Sequence, residues 1–193
     1  METRRAEVVR ETRETRVEVE VDLDGEGGFD VEVEPLFLKH MLETLARHGL
    51  LDLKLRARGD LPHHVVEDAA LTLGEAIDKA LGDRVGIARY GFAYAPMDEA
   101  LARAVVDLSG RGYADVKLRL RGPRVEDLAS SDAAHFFKSL ARAARMTLHV
   151  EVLYGADDHH KVEAAFKALA LALRRAVAVE PRVKGVPSVK ERL

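Results

Sequence analysis

Strict alternation of apolar and charged residues marks the first clear element of the chain. Residues 16–23 read Arg16-Val17-Glu18-Val19-Glu20-Val21-Asp22-Leu23, with every apolar side chain at an odd position. Successive side chains of a strand point to opposite faces, so this pattern predicts a strand with one buried face. Similar strand-like segments lie at 29–34, 51–57, 87–95, 101–108, 113–121 and 147–154.

A longer period separates these strands and predicts helices over 37–47, 63–81, 132–145 and 159–177. Within 63–81, apolar residues such as Val66, Ala69, Leu73 and Ile77 recur at three- and four-residue spacing, which places them on one helical face. The helices are therefore expected to cover the apolar faces of the strands.

The order of elements suggests an internal duplication. Both halves read approximately as β-β-β-α-β-α, and His63-His64-Val65-Val66-Glu67 recurs as His159-His160-Lys161-Val162-Glu163. We predict an α+β fold with two such halves, residues 1–86 and 87–193, packed as one unit. Its sheets should be mainly antiparallel, with helices packed on one face.

Composition excludes several classes of protein. The chain has no cysteine, so disulfides, zinc ribbons and thiol nucleophiles are absent. A formal net charge of −3 gives no basic field for nucleic acid. No apolar run is long enough to span a membrane, and Met1-Glu2-Thr3-Arg4-Arg5 does not begin a signal peptide. These features favour a cytoplasmic protein.

The paired histidines carry the most specific chemistry. On a helix, Glu67 can meet His63 or His64, but neighbouring side chains diverge by ~100°, so each pair should serve two different sites. The two motifs together offer four imidazoles and two carboxylates, a set suited to two transition-metal ions. His149, on the polar face of a strand, and His40 are further candidate ligands, whereas His135 is interpreted as a solvated surface histidine.

Several blocks in order resemble the imidazoleglycerol-phosphate dehydratase family over essentially the whole chain. They are Phe37-Leu38-Lys39-His40-Met41-Leu42, Ala46-Arg47-His48-Gly49, His63-His64-Val65-Val66-Glu67-Asp68, Pro96-Met97-Asp98-Glu99-Ala100-Leu101, Asp107-Leu108-Ser109-Gly110-Arg111 and His159-His160-Lys161-Val162-Glu163-Ala164. The resemblance runs from Arg10-Glu11-Thr12-Arg13-Glu14-Thr15 to the tail Pro187-Ser188-Val189-Lys190.

The resemblance implies a lyase of histidine biosynthesis that dehydrates imidazole glycerol phosphate to imidazole acetol phosphate. It implies two Mn²⁺ ions per subunit, a small phosphorylated imidazole substrate and a cytoplasmic homo-oligomer of 24 subunits. The metal ligands it implies are His40, His63, His64, Glu67, His149, His159, His160 and Glu163. Candidate proton-transfer residues are Glu14, Glu67 and Asp98. Substrate contacts would fall at Glu14, Met41, His48, Arg89, Arg111, Lys167, Ser188 and Lys190.

The chain departs from the family pattern beside two predicted ligands. Lys39 stands where the family usually has Asp before His40, and only Leu61-Pro62 joins Asp60 to His63, where the family has a longer acidic connection. An alternative function is a metal-bound, assembled shell protein with weak or no catalysis. A more remote alternative is a nucleic-acid-binding α+β domain. The intact set of candidate phosphate residues favours the enzyme.

Overall fold

The computed structural model describes residues 4–193, so Met1, Glu2 and Thr3 of the N-terminal segment lie outside it. The first half contains β1 (Arg5–Glu11), β2 (Thr15–Asp22), β3 (Phe29–Glu32), α1 (Leu36–Gly49), β4 (Asp52–Gly59) and α2 (Pro62–Leu81). Its strands form one sheet in the order β1-β2-β4-β3. All neighbouring strands are antiparallel except β3, which is parallel to β4.

The second half repeats this plan. It contains β5 (Tyr90–Met97), β6 (Ala100–Asp107), β7 (Tyr113–Lys117), β8 (Arg124–Val125), β9 (Leu128–Ala129), α3 (Ser130–Ala143), β10 (Thr147–Tyr154) and α4 (Asp158–Ala176). Its main sheet has the order β5-β6-β10-β7, again with one parallel pair, β7 and β10. The predicted α+β fold with mainly antiparallel sheets is confirmed.

Each sheet presents its apolar face to the helices. In β2, Val17, Val19 and Val21 are buried, whereas Arg16 and Glu18 face outward and stay half-exposed. The helices α1 and α2 cover the first sheet and α3 and α4 the second, while α2 also packs on α3 and α1 on α4. The helices therefore form a central layer between two sheets.

The structure adds elements that the periodicity did not indicate. Strand β1 lies at a sheet edge and buries little apolar surface, since Val8 is buried but Val9 is exposed. The short hairpin β8–β9 occupies the connection before α3, and the predicted strand over 113–121 ends at Lys117. Edge strands and two-residue strands carry too few alternating residues to produce a clear pattern.

Two helix starts place the paired histidines. Pro62 begins α2, which puts His63 and His64 in its first turn. Asp157 caps α4 by accepting hydrogen bonds from the backbone N–H groups of His159 and His160. Both pairs therefore lie at the N-terminal ends of helices in the central layer. Within residues 4–193, none of the helices combines the length and apolar character needed to cross a membrane.

Candidate metal centres

The first group of facing ligand atoms joins α1 to α4. It consists of His40, His159 and Glu163, here called the His40 group. Oε2 of Glu163 lies 3.4 Å from Nε2 of His40 and 3.4 Å from Nε2 of His159. Burial opposes ionisation of Glu163, but the hydrogen bond and charge of Lys167, whose Nζ lies at 2.7 Å, together with the contact to His40 outweigh it and hold the pKa below its usual value. Glu163 is therefore an ionised carboxylate between two imidazoles.

The second group joins α2 to α3. It consists of His63, Glu67 and His135, here called the His135 group. Nε2 of His135 lies 3.4 Å from Glu67 Oε1, and Nε2 of His63 lies 4.0 Å from Glu67 Oε2. Among the described residues, Nε2 of His135 is buried without a hydrogen-bond partner. A buried polar nitrogen without a hydrogen-bond partner is costly, and coordination of a cation through its lone pair would satisfy it.

The two groups are related by the duplication. Each combines the histidine and glutamate of one motif with a histidine from the first helix of the other half: His40 on α1 and His135 on α3. Sequence reasoning set His135 aside as solvated. The signal that identifies it is its spacing from His40, which nearly equals the spacing between the two paired-histidine motifs.

His149 belongs to neither group. It lies on β10 on the outer face of the second sheet, with its Nδ1 3.8 Å from Asp115 and its ring beside Tyr113. Its neighbours Leu148 and Val150 are buried toward the helices, so the sheet itself separates His149 from the helical layer. The structure thus places His135, and not His149, in a group with two other candidate ligands.

The second histidine of each pair also lies outside both groups. Nδ1 of His64 is 2.8 Å from Asp60 and 3.7 Å from Glu14, and the hydrogen bond to Asp60 raises the pKa of His64. Nδ1 of His160 is 2.6 Å from Glu99, whose hydrogen bond raises the pKa of His160. The predicted divergence of each pair is seen in the structure.

The candidate proton-transfer residues take matching places beside these outer histidines. Glu14 lies in the turn between β1 and β2, and Asp98 lies in the turn between β5 and β6. A carboxylate oxygen of Asp98 is 3.8 Å from Nε2 of His160. Glu67, the third candidate, lies within the His135 group.

At the two places where the chain departs from the family pattern, the side chains find partners nearby. In the short connection before α2, Asp60 supplies a carboxylate to His64. Lys39 pairs with Glu43 along α1 at 3.9 Å.

Residues predicted to contact substrate divide between the surface and the core. Lys167 Nζ lies 2.7 Å from Glu163 and 3.0 Å from the sulfur of Met97, which places a cation next to the His40 group. Burial and the charge of Lys167 lower the pKa of the nearby His48. Met41 is fully buried among core residues, which leaves its side chain no exposed surface for a substrate.

The remaining candidate contacts gather where the C-terminal tail returns to the second half. Arg89 donates to Asp107 at 2.7 Å and to the carbonyl oxygen of Pro187 at 2.7 Å, directly before Ser188. The backbone of Gly110 lies close to that of Leu193, and Arg111 is the next residue along the chain from Gly110. Arg111 forms no ion pair within residues 4–193, whereas Arg89 is neutralised by Asp107. The tail therefore brings Ser188 and Lys190 to the same end of the molecule as two arginines.

Comparisons with known proteins identify the family of the chain. The family model for imidazoleglycerol-phosphate dehydratase matches residues 33–173. The imidazoleglycerol-phosphate dehydratase of Methanothermobacter thermautotrophicus is 51% identical over 193 residues, covering 98% of each protein. That of Phytophthora nicotianae is 52% identical over 97% of this chain, which spans 42% of that longer protein. A crystal structure of the enzyme from Pyrococcus furiosus superimposes with a TM-score of 0.83 at 38% identity, covering 96% of this chain and all of that one. The chain belongs to the imidazoleglycerol-phosphate dehydratase family.

Proposed function

We propose that this chain dehydrates imidazole glycerol phosphate to imidazole acetol phosphate in histidine biosynthesis, using divalent metal ions held by the His40 and His135 groups. The observation that carries the proposal is the presence of two equivalent groups, each with two imidazoles facing one carboxylate. A structural role alone would not require the same unusual cluster in both halves of the chain.

The donor atoms fit a transition metal. Nitrogen and oxygen ligands suit Mn²⁺, Zn²⁺, Fe²⁺, Co²⁺ and Ni²⁺, and family membership favours two Mn²⁺ ions per subunit. The unpartnered Nε2 of His135 supports a bound cation at the second group. His64 and His160 are the further imidazoles we assign to the metals, and His135 replaces His149 in the ligand set expected from sequence. A metal ion held there would supply Lewis-acid stabilisation of negative charge on the substrate ring.

The reaction removes a hydroxyl from the carbon attached to the ring and a proton from the next carbon. The resulting enol then becomes the ketone product. Asp98 and Glu14 lie beside His160 and His64, and we assign to these two carboxylates the proton transfers at these carbons. Glu163 is engaged by Lys167 and two imidazoles, which suits a ligand better than a mobile proton carrier.

The phosphate has a separate set of cations. Arg111, Lys190 and Ser188 are assigned to it, since Ser188 and Lys190 lie on the tail whose last residue approaches Gly110 beside Arg111, and guanidinium and ammonium groups bind phosphate as charged donors. Arg89 joins them if a phosphate displaces its contact with the carbonyl of Pro187. Binding energy gained at this remote group would position the imidazole ring for elimination.

Assembly forms part of the proposal. His64 and His160 belong to neither group of their own chain, and we assign these imidazoles to metals shared with neighbouring subunits. We assign the chain to a cytoplasmic homo-oligomer of 24 subunits in which metals link neighbours. Such an arrangement makes assembly depend on metal concentration and on deprotonated ligands.

The direct test is to incubate Mn²⁺-loaded protein with imidazole glycerol phosphate and measure formation of the ketone. Glu163→Gln should abolish turnover while the helical circular dichroism signal is retained. Glu151→Gln is the matched control, because Glu151 pairs with Arg103 and Arg119 away from both groups. Protein that binds metal and assembles yet forms no product would instead support the shell-protein alternative.

A further inference from the structure

We infer that Glu99 is a positioning residue that fixes the tautomer of His160, so that the Nε2 atom of this imidazole carries the lone pair that binds metal. The inference rests on the proposed metal sites and concerns a residue outside the predicted catalytic, ligand and substrate sets. It is carried by the hydrogen bonds of the Glu99 carboxylate.

Both oxygens of Glu99 are occupied, and by different partners. Oε1 accepts hydrogen bonds from the backbone N–H groups of Ala156 at 2.9 Å and Asp157 at 2.8 Å. Oε2 lies 2.6 Å from Nδ1 of His160. A glutamate has a reference pKa of ~4.3 and is ionised at neutral pH, and the two backbone N–H donors favour that charged form. Glu99 is therefore an ionised group locked in one orientation.

An ionised carboxylate accepts hydrogen bonds and donates none, so Nδ1 of His160 must be the donor. A neutral imidazole with its proton on Nδ1 has its free lone pair on Nε2. Carboxylates that hold the second nitrogen of a metal-bound histidine set the orientation and basicity of the ligand in this way. The backbone contacts of Glu99 fix which oxygen performs this task.

The same contacts make glutamine a selective probe. Its amide must keep the oxygen on the N–H groups of Ala156 and Asp157, because the NH₂ group would face two donors there. The NH₂ group then faces Nδ1 of His160, which has to become an acceptor. Glu99→Gln should thus move the imidazole proton to Nε2 and block the metal-binding lone pair, while conserving the shape of the residue.

Glu126 provides the matched control. Its Oε1 lies 3.0 Å from Nδ1 of His159, the same kind of contact in the other histidine of the pair. Among the described residues it forms no backbone hydrogen bond through its side chain, and the side chain is 60% exposed. The amide of Glu126→Gln is free to turn its oxygen toward His159, so the tautomer should be retained.

The first measurement uses metal-free protein labelled with ¹⁵N-histidine at roughly pH 8.5, well above the ~6.5 reference pKa of histidine. The signals of His160 are those absent from His160→Gln. In wild type and Glu126→Gln they should show the proton on Nδ1, and in Glu99→Gln on Nε2. An unchanged tautomer in Glu99→Gln overturns the inference without any metal being involved.

The second measurement is a Mn²⁺ titration followed by electron paramagnetic resonance. Glu99→Gln should weaken one class of sites by ~10–100-fold, the usual effect of losing an outer-shell partner. The Mn²⁺ affinity of Glu126→Gln should stay within about threefold of the wild-type affinity. Equal affinity in wild type and Glu99→Gln overturns the inference alone, whereas wild-type protein that binds no Mn²⁺ overturns the proposed metal sites.

Discussion

Exchanging His135 for asparagine should disable one metal site, whereas the same exchange at His149 should leave metal binding intact. His135 Nε2 lies 3.4 Å from Glu67, and its ring centroid is 5.2 Å from that of His63. His149 faces outward from the second sheet and contacts Asp115 and Tyr113. The two substitutions remove the same chemical group from opposite sides of one sheet.

The expected magnitudes differ widely. Without His135, its group retains only His63 and Glu67. Losing a residue that hydrogen-bonds to a metal ligand weakens metal binding ~10–100-fold. Losing the ligand itself should therefore weaken binding by at least ~100-fold. A factor of ~100 corresponds to ~2.8 kcal/mol, since each tenfold step is ~1.4 kcal/mol. A surface substitution costs at most ~0.5 kcal/mol, so His149→Asn should alter affinity by no more than about twofold.

Mn²⁺ titrations of the metal-free proteins, followed by electron paramagnetic resonance, measure both values on the same scale. Circular dichroism of each variant checks that the helices are retained. If His149→Asn lost the site and His135→Asn kept it, the assignment of His135 would be refuted and the ligand expected from sequence would be restored.

Further predictions concern the core, pH, substrate and assembly. Phe166 is fully buried against Phe136 and Phe137, so Phe166→Ala should cost ~3–5 kcal/mol and lower the melting temperature of the metal-free protein by ~6–20 °C. A change in melting temperature under ~2 °C would contradict the packing of Phe166 in the core. Because burial and Lys167 lower the pKa of His48 beneath 6.5, the unfolded chain takes up its proton first. The free energy of unfolding should therefore fall as pH drops below ~6.5, and His48→Gln should flatten that part of the profile; parallel profiles would contradict it. Arg111→Ala should raise KM at least ~10-fold for the substrate but not for an analogue lacking phosphate, and equal effects would remove Arg111 from the phosphate site. Chelator should convert the proposed 24-subunit assembly to smaller oligomers in light scattering, and a particle that keeps its size after the metal is removed would show that metals do not link subunits.

Much of the fold was encoded locally and was predictable from the sequence. The alternation over residues 16–23 identified β2 and its buried face, and the helical spacing over 63–81 identified α2. The repeated histidine motif indicated a duplication, which is visible in the matching strand orders of the two sheets. Periodicity succeeds here because each element buries one face, and that burial imposes a two- or 3.6-residue repeat on the sequence.

The composition of the candidate metal groups was decided by tertiary structure. The helical motif places His63 near Glu67 and His159 near Glu163, but the third member of each group comes from the other half of the chain. His40 and His135 reach their groups only because α1 packs on α4 and α2 on α3. Contacts between helices depend on the packing of side chains far apart in sequence, which no local pattern records.

The packing of the helices on one face of the sheet also decided which histidines lie near the candidate groups. Alternation correctly placed His149 on the polar face of its strand, yet both candidate groups lie in the helical layer, which covers the opposite, apolar face. The carboxylates beside the outer histidines illustrate the same dependence. Glu99 reaches His160 because the turn between β5 and β6 lies against the start of α4, an arrangement created by the folded sheet and helix together. Sequence therefore determined which residues have the chemistry, and packing determined which of them meet.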